Sequence, residues 1–221
     1  MRSVEPEGGL EPALPAFAEA EEAAAEPAED EADLIAATQQ GDLSAFNELV
    51  RRYQTLAFNV AARILGDREV AADVVQDSFL SAWEHIRGFR GTSFRAWLLR
   101  IVTNRCYDRL RRQKVRQAAS IEDMLADDEG AELPEPSEGP EGTVLRQELR
   151  AMIQRGILTL PPEQRAVLVL CDVQGLSYEE TAQATSASIG TVKSRLSRAR
   201  DKLRQYLRAE GELLPARYRQ G

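Results

Sequence analysis

Only two cysteines, Cys106 and Cys171, and one histidine, His85, occur in 221 residues. Each cysteine stands alone within an apolar helical pattern, which points to buried thiols in a reducing compartment and not to a disulfide framework. Without a Cys or His cluster at ligand spacing, the sequence presents no metal constellation and implies no cofactor. No apolar run approaches the roughly 20 residues that span a bilayer, and the acidic N-terminus lacks the basic and apolar regions of a signal peptide. These shortages predict a soluble chain in the cytoplasm. Strand-like alternation is missing as well, so the expected fold class is all-α.

Charge is plentiful but unevenly placed. The net charge of -8 conceals a division: residues 1–33 carry eleven acids against one base, and residues 117–145 carry nine acids and no base. What is left sums to +6 over residues 34–116 and +5 over residues 146–221. Two basic bodies are preceded and joined by acidic tethers, a distribution that points to a polyanionic partner.

The pattern along the chain predicts two small helical domains. Residues 1–32, rich in Ala, Glu and Pro, cannot bury enough surface to fold and are expected to form a disordered acidic tail. A first domain is expected over 33–114, a flexible acidic linker over 115–143, a second domain over 144–208 and a tail over 209–221. Within the first, Gly66-Asp67 breaks the helical run, Asp67 can cap a helix to about Ile86, and Ser93 can cap another from Phe94 to about Arg112. The second shows helical pieces at 145–158, 162–173 and 178–185, then a long basic helix from Ile189 to about Leu207.

The turn between the last two, Ser186 to Ser188, has helix-turn-helix spacing. On the basic helix Ile189, Val192, Leu196, Ala199 and Leu203 share one face and are expected to pack inward. Gly190, Thr191, Ser194, Ser197 and Arg198 form the opposite crest, small enough to lie in a major groove. Lys193, Arg195, Arg200 and Lys202 flank it at phosphate reach, and Arg198 is best placed for a guanine edge. A solvated amphipathic helix is the plainer alternative.

The run DREVAADVVQDSFLSAWEHIRGFRGTSFRAWLLRIVTNRCYDRLRR, followed by LPPEQRAVLVLCDVQGLSYEETAQ and IGTVKSRLSRAR, closely resembles the bacterial extracytoplasmic-function (ECF) sigma factors over about residues 33 to 208. The resemblance implies a non-enzymatic subunit with no small-molecule substrate. Its partners would be core RNA polymerase, promoter DNA and an anti-sigma factor, and its genes those of a stress or envelope signal. It also implies that the first domain grips polymerase and melts the downstream promoter element, while the second reads the upstream one. The outward stripe Asp73, Gln76, Asp77, Leu80 and Glu84 would then meet core polymerase. Phe89, Arg90, Thr92, Ser93 and Arg95, with Arg100, Asn104 and Arg105 on the next helix, would hold opened DNA by stacking, phosphate and base contacts.

Trp97 is assigned to packing. The linker's nine carboxylates could mimic nucleic acid in the polymerase cleft or merely act as a soluble spacer. Departures from the family pattern are Thr181 and Thr185, where a bulky aliphatic is usual, and Ser186, where glycine is usual, so either looser packing is expected there or a neighbour supplies the volume. Two other readings are a stand-alone helix-turn-helix regulator, which the first domain speaks against, and a DNA-acting enzyme with Asp73 and Asp77 as metal ligands, which lacks further ligands.

Overall fold

Short side chains set the helix boundaries. The computed structural model describes residues 28–91, 93–119 and 140–211, and among them every regular element is helical. Helix α1 spans Ala28–Gln39, α2 Leu43–Leu65, α3 Arg68–His85 and α4 Phe94–Ala119; a 3-10 turn, Ile86–Gly88, follows α3. Then come α5 (Pro140–Leu158), α6 (Pro162–Leu168) running into a π turn at Val169–Val173, α7 (Tyr178–Thr185) and α8 (Ile189–Gly211). The all-α expectation holds.

The local chemistry explains the punctuation. Asp42 accepts from the backbone N–H groups of Ser44 and Ala45 and starts α2, while Gly66, at φ 79, ends it in the left-handed region that L side chains avoid. Asp67 accepts from Val70 N at 3.0 Å and starts α3. Ser93 Oγ accepts from Ala96 N at 3.1 Å and starts α4. At α7 the cap is reciprocal: Ser177 Oγ receives Glu180 N, and a Glu180 oxygen receives Ser177 N.

Four boundaries differ from expectation. Residues 28–32, read as tail, belong to α1, because Asp30 and Glu31 are anchored on α2 by the Arg52 guanidinium and the Tyr53 hydroxyl. Helix α4 continues to Ala119, α5 begins at Pro140 and α8 reaches Gly211. The span between the domains thereby narrows to residues 120–139, which with residues 1–27, Thr92 and residues 212–221 lies outside the described residues.

Helices α2, α3 and α4 close around Leu49, Val60, Ile64, Phe94, Leu98 and Val102; α5 to α8 close around Ile157, Leu170, Leu196 and Leu203. These form one contiguous apolar core, with α4 against α7 and the end of α2 against α5 and α6. At the two threonines, neighbouring groups enclose the side chains. Thr181 and Thr185 are both buried, Thr185 Oγ1 donates to Thr181 O at 2.7 Å, and Thr181 Oγ1 lies 3.2 Å from Cys171 Sγ. Burial of each polar atom is thus matched by a partner.

Ser186 occupies the glycine position of a helix C-terminus with φ 51, and Ala187 N returns to Ala182 O at 3.0 Å to close the turn. A serine there bears the steric cost of its Cβ. Ser186→Gly is expected to raise stability by about 0.5 kcal/mol, the relieved strain being partly offset by unfolded-chain entropy; a urea midpoint that falls would contradict this.

Candidate nucleic-acid interface

Four of the five expected core residues of α8, Val192, Leu196, Ala199 and Leu203, are buried, and the fifth, Ile189, is 40% exposed because it sits at the first turn, beyond the reach of α6. Gly190, Lys193, Ser194, Ser197, Arg198 and Lys202 face solvent, with Thr191 half-buried beside them. Ser188 Oγ accepts from Thr191 N at 3.1 Å, which fixes the start of the helix. Lys193 reaches over the Tyr178 ring, 5.6 Å from its centre, and so stays at the edge of the turn.

Two flanking cations are less open to solvent than the rest. Arg200 grips Asp172 of the π turn through two bonds, Nε at 2.8 Å and Nη2 at 2.6 Å. That fork raises the Arg200 pKa, hydrogen bonding to Asp172 being the main cause. Arg200 therefore ties α8 to the π turn that follows α6. Arg195 is half-buried.

In the loop before α4, the structure corrects one aromatic assignment. Phe89, expected as an open stacking face, is 8% exposed, its ring 5.2 Å from Trp97 and 6.0 Å from Phe94. Trp97 packs against both, as assigned. Arg90 is exposed but folds back, Nη1 donating to the carbonyls of Arg87 at 2.7 Å and Phe89 at 2.8 Å. Thr92 lies outside the described residues. Arg100, Asn104 and Arg105 are exposed along α4.

On α3, Asp73, Gln76, Asp77 and Glu84 face solvent and Leu80 is 57% exposed, while Ala71, Val74, Val75, Ala82 and Ile86 are buried. Asp73 and Asp77 share a groove with Arg105, Asp108, Arg109 and Arg112 of α4. The structure thus brings an acidic stripe and a basic stripe side by side. No group of three potential metal ligands occurs among the described residues, and no described helix is long and apolar enough to cross a membrane.

A clasp between the two halves was not foreseen. Ser93 Oγ, besides capping α4, donates to Glu180 Oε1 at 3.2 Å, and Arg95 Nη2 donates to Gln174 O at 2.5 Å. Gln154 Nε2 donates to Arg63 O at 3.3 Å. Leu158 presses on Gly66, where an added Cβ would stand 2.8 Å from it. Buried Arg165 donates to Ile64 O at 2.5 Å, Leu160 O at 3.0 Å and Leu158 O. Burial lowers its pKa from the ordinary value. It has no carboxylate among these partners; the carbonyls belong to the C-terminal ends of α2 and α5, which carry partial negative charge. Only the apolar setting of PEQRAVLVL hinted at a buried arginine.

Residues 49–116 match the family Sigma-70 region 2, and residues 150–203 match Sigma-70, region 4. The ECF RNA polymerase sigma-E factor of Escherichia coli strain K12 is 38% identical over 172 residues, covering 76% of this chain and 89% of that one. The chain belongs to the ECF RNA polymerase sigma factors. The ECF sigma factor SigE of Mycolicibacterium smegmatis is 35% identical over 169 residues, 76% of this sigma factor but 63% of that longer protein. Among solved structures, CnrH in complex with the cytosolic domain of CnrY is 30% identical, with a TM-score of 0.58 over 82% of this sigma factor and 99% of CnrH. Family membership settles the choice against a stand-alone regulator: this is a transcription initiation factor that binds core RNA polymerase and promoter DNA.

Proposed function

We propose that the three exposed surfaces divide the work of initiation. The α3 stripe of Asp73, Gln76, Asp77, Leu80 and Glu84 docks on core polymerase, an acidic face with one apolar knob suited to a partly basic helix. The loop before α4, including Arg90 and Thr92, together with Arg100, Asn104 and Arg105, takes the opened downstream element. Thr191, Lys193, Ser194, Ser197, Arg198 and Lys202 on α8 read the upstream element as duplex. In domain terms, the region up to α4 is the polymerase-binding and melting module, and α5 to α8 the upstream reader. The protein acts in the cytoplasm as a binding subunit, with no chemistry of its own.

The observation that supports this division most directly is that two basic surfaces, on α4 and α8, remain exposed while Leu80 stays uncovered on a third. Because Ser93 and Arg95 are already bonded to Glu180 and Gln174, the two modules must part before that loop takes DNA. We further propose that an anti-sigma factor holds the modules together until a signal arrives, as a partner protein accompanies CnrH in its solved structure.

Transcription with purified core polymerase on genomic fragments tests the reading, since mapped start sites define both promoter elements. Asp77→Arg is expected to weaken core binding about 100-fold by placing like charge against the partner, a loss much larger than the small drop in melting temperature caused by the new charge beside Arg105, Arg109 and Arg112. Undiminished capture of core polymerase by that variant would remove α3 from the docking surface.

A further inference from the structure

We propose that Gln39, the last residue of α1, is a positioning residue for the promoter-opening loop, so that α1 takes part in base selection without touching DNA. This rests on the loop having the role proposed above. The side chain lies outside the family match, which begins at residue 49.

Its amide has two N–H donors, and both go to the loop entrance: Nε2 donates to Ile86 O at 3.1 Å and to Phe89 O at 3.0 Å. Those two carbonyls bracket the 3-10 turn, whose own closing bond runs from Phe89 N to Ile86 O at 3.0 Å. Phe89 O also accepts from Arg90 Nη1, so one oxygen ties α1, the turn and the first basic residue of the loop together. Just beyond, Ser93 is fixed as the cap of α4. Gln39 therefore fixes the entrance of the loop at Ile86 and Phe89, and the α4 cap fixes its exit at Ser93.

The anchor is itself secured. Asp30 and Glu31 of α1 are bonded to Arg52 and Tyr53 of α2, and Gly41, at φ 98, turns the chain sharply into α2 directly after Gln39. An ordinary packing helix has no need of a terminal amide reaching 47 and 50 residues along the chain to two carbonyls of one turn. Holding a single loop geometry before a base arrives removes the ordering cost that a loose loop would meet on binding, and it does so most for the base that fits.

The test uses holoenzyme assembled from core polymerase and the full chain. Two promoters, taken from the mapped start sites and differing by one non-template base of the downstream element, are compared by permanganate reactivity of the opened strand. The parent is expected to open the preferred promoter faster. Gln39→Leu, which keeps the bulk and removes both donors, is expected to reduce that preference about tenfold, the size associated with loss of two bonds holding one geometry. Gln39→Glu, isosteric but without donors, is expected to act in the same direction. Core affinity should stay within about twofold of the parent, since α3 is untouched. Because each preference is a ratio from one preparation, a reduced folded fraction cancels from it.

Variants that keep the parental preference overturn the inference, as does a loss of preference matched by an equal loss of core affinity. A parent with no preference overturns the promoter-opening reading and this inference with it, whereas a discriminating parent with equally discriminating variants overturns the inference alone.

Discussion

Replacing Arg165 by leucine is expected to lower stability by about 3 kcal/mol, the largest effect of any single substitution considered in this chain. The change leaves the carbonyls of Ile64, Leu158 and Leu160 buried without their donor, and it does so at the junction of α2, α5 and α6. Each buried carbonyl left without a donor costs about 1–3 kcal/mol, and removing the guanidinium's own desolvation cost together with the new apolar contact recovers part of the total. Arg165→Lys keeps the charge but replaces a planar fork with a point donor, so it is expected to restore less than half of the loss. Urea unfolding distinguishes the cases: the midpoint should fall in the order parent, lysine, leucine, with the slope constant. A lysine variant as stable as the parent would show that charge at the helix ends is sufficient and the fork is not needed.

On the recognition helix, Arg198→Ala and Lys202→Ala are expected to behave differently although both side chains are exposed cations on the same surface. Arg198 lies on the crest with Ser194 and Ser197, where a bidentate guanidinium can reach a guanine edge. Its removal should weaken promoters bearing that guanine by about 10- to 100-fold and leave others nearly unchanged. Lys202 lies on the flank, where the proposed role is a phosphate contact. Its loss should weaken all duplexes alike, by about two- to threefold, and reduce the salt slope by about one. Binding titrations on a promoter panel at several salt concentrations measure both quantities. Equal losses for Arg198 on every sequence would return it to the role of a phosphate contact.

What could be read before the structure was the part encoded locally. Asp67, Ser93 and Ser177 cap the helices expected of them because a cap needs only its own next three residues, and the helix-turn-helix follows from caps and spacing alone. The buried face of α8 followed from periodicity. Long-range partners were not legible. Arg165 bonds a carbonyl 101 residues away and Gln39 carbonyls 47 and 50 away, and any residue type presents a carbonyl, so no sequence pattern announces them. The pairing of Arg200 with Asp172 was not legible either, because periodicity gives the face of a helix but not which neighbouring turn carries a carboxylate. Phe89 was misassigned because a glycine-rich loop suggests exposure, whereas Phe94 and Trp97 provide the apolar seat that buries it.

Gly66 meets two demands at one atom. Its φ of 79 calls for a residue free of Cβ strain, and Leu158 fills the volume a Cβ would need. The turn between α2 and α3 and the seat of α5 are thus drawn on the same point, so drift at this site cannot be tuned for one module without disturbing the other. A sigma factor built this way inherits its two halves as a matched set, and exchanging either half for a relative's would require residue 158 to be chosen together with residue 66.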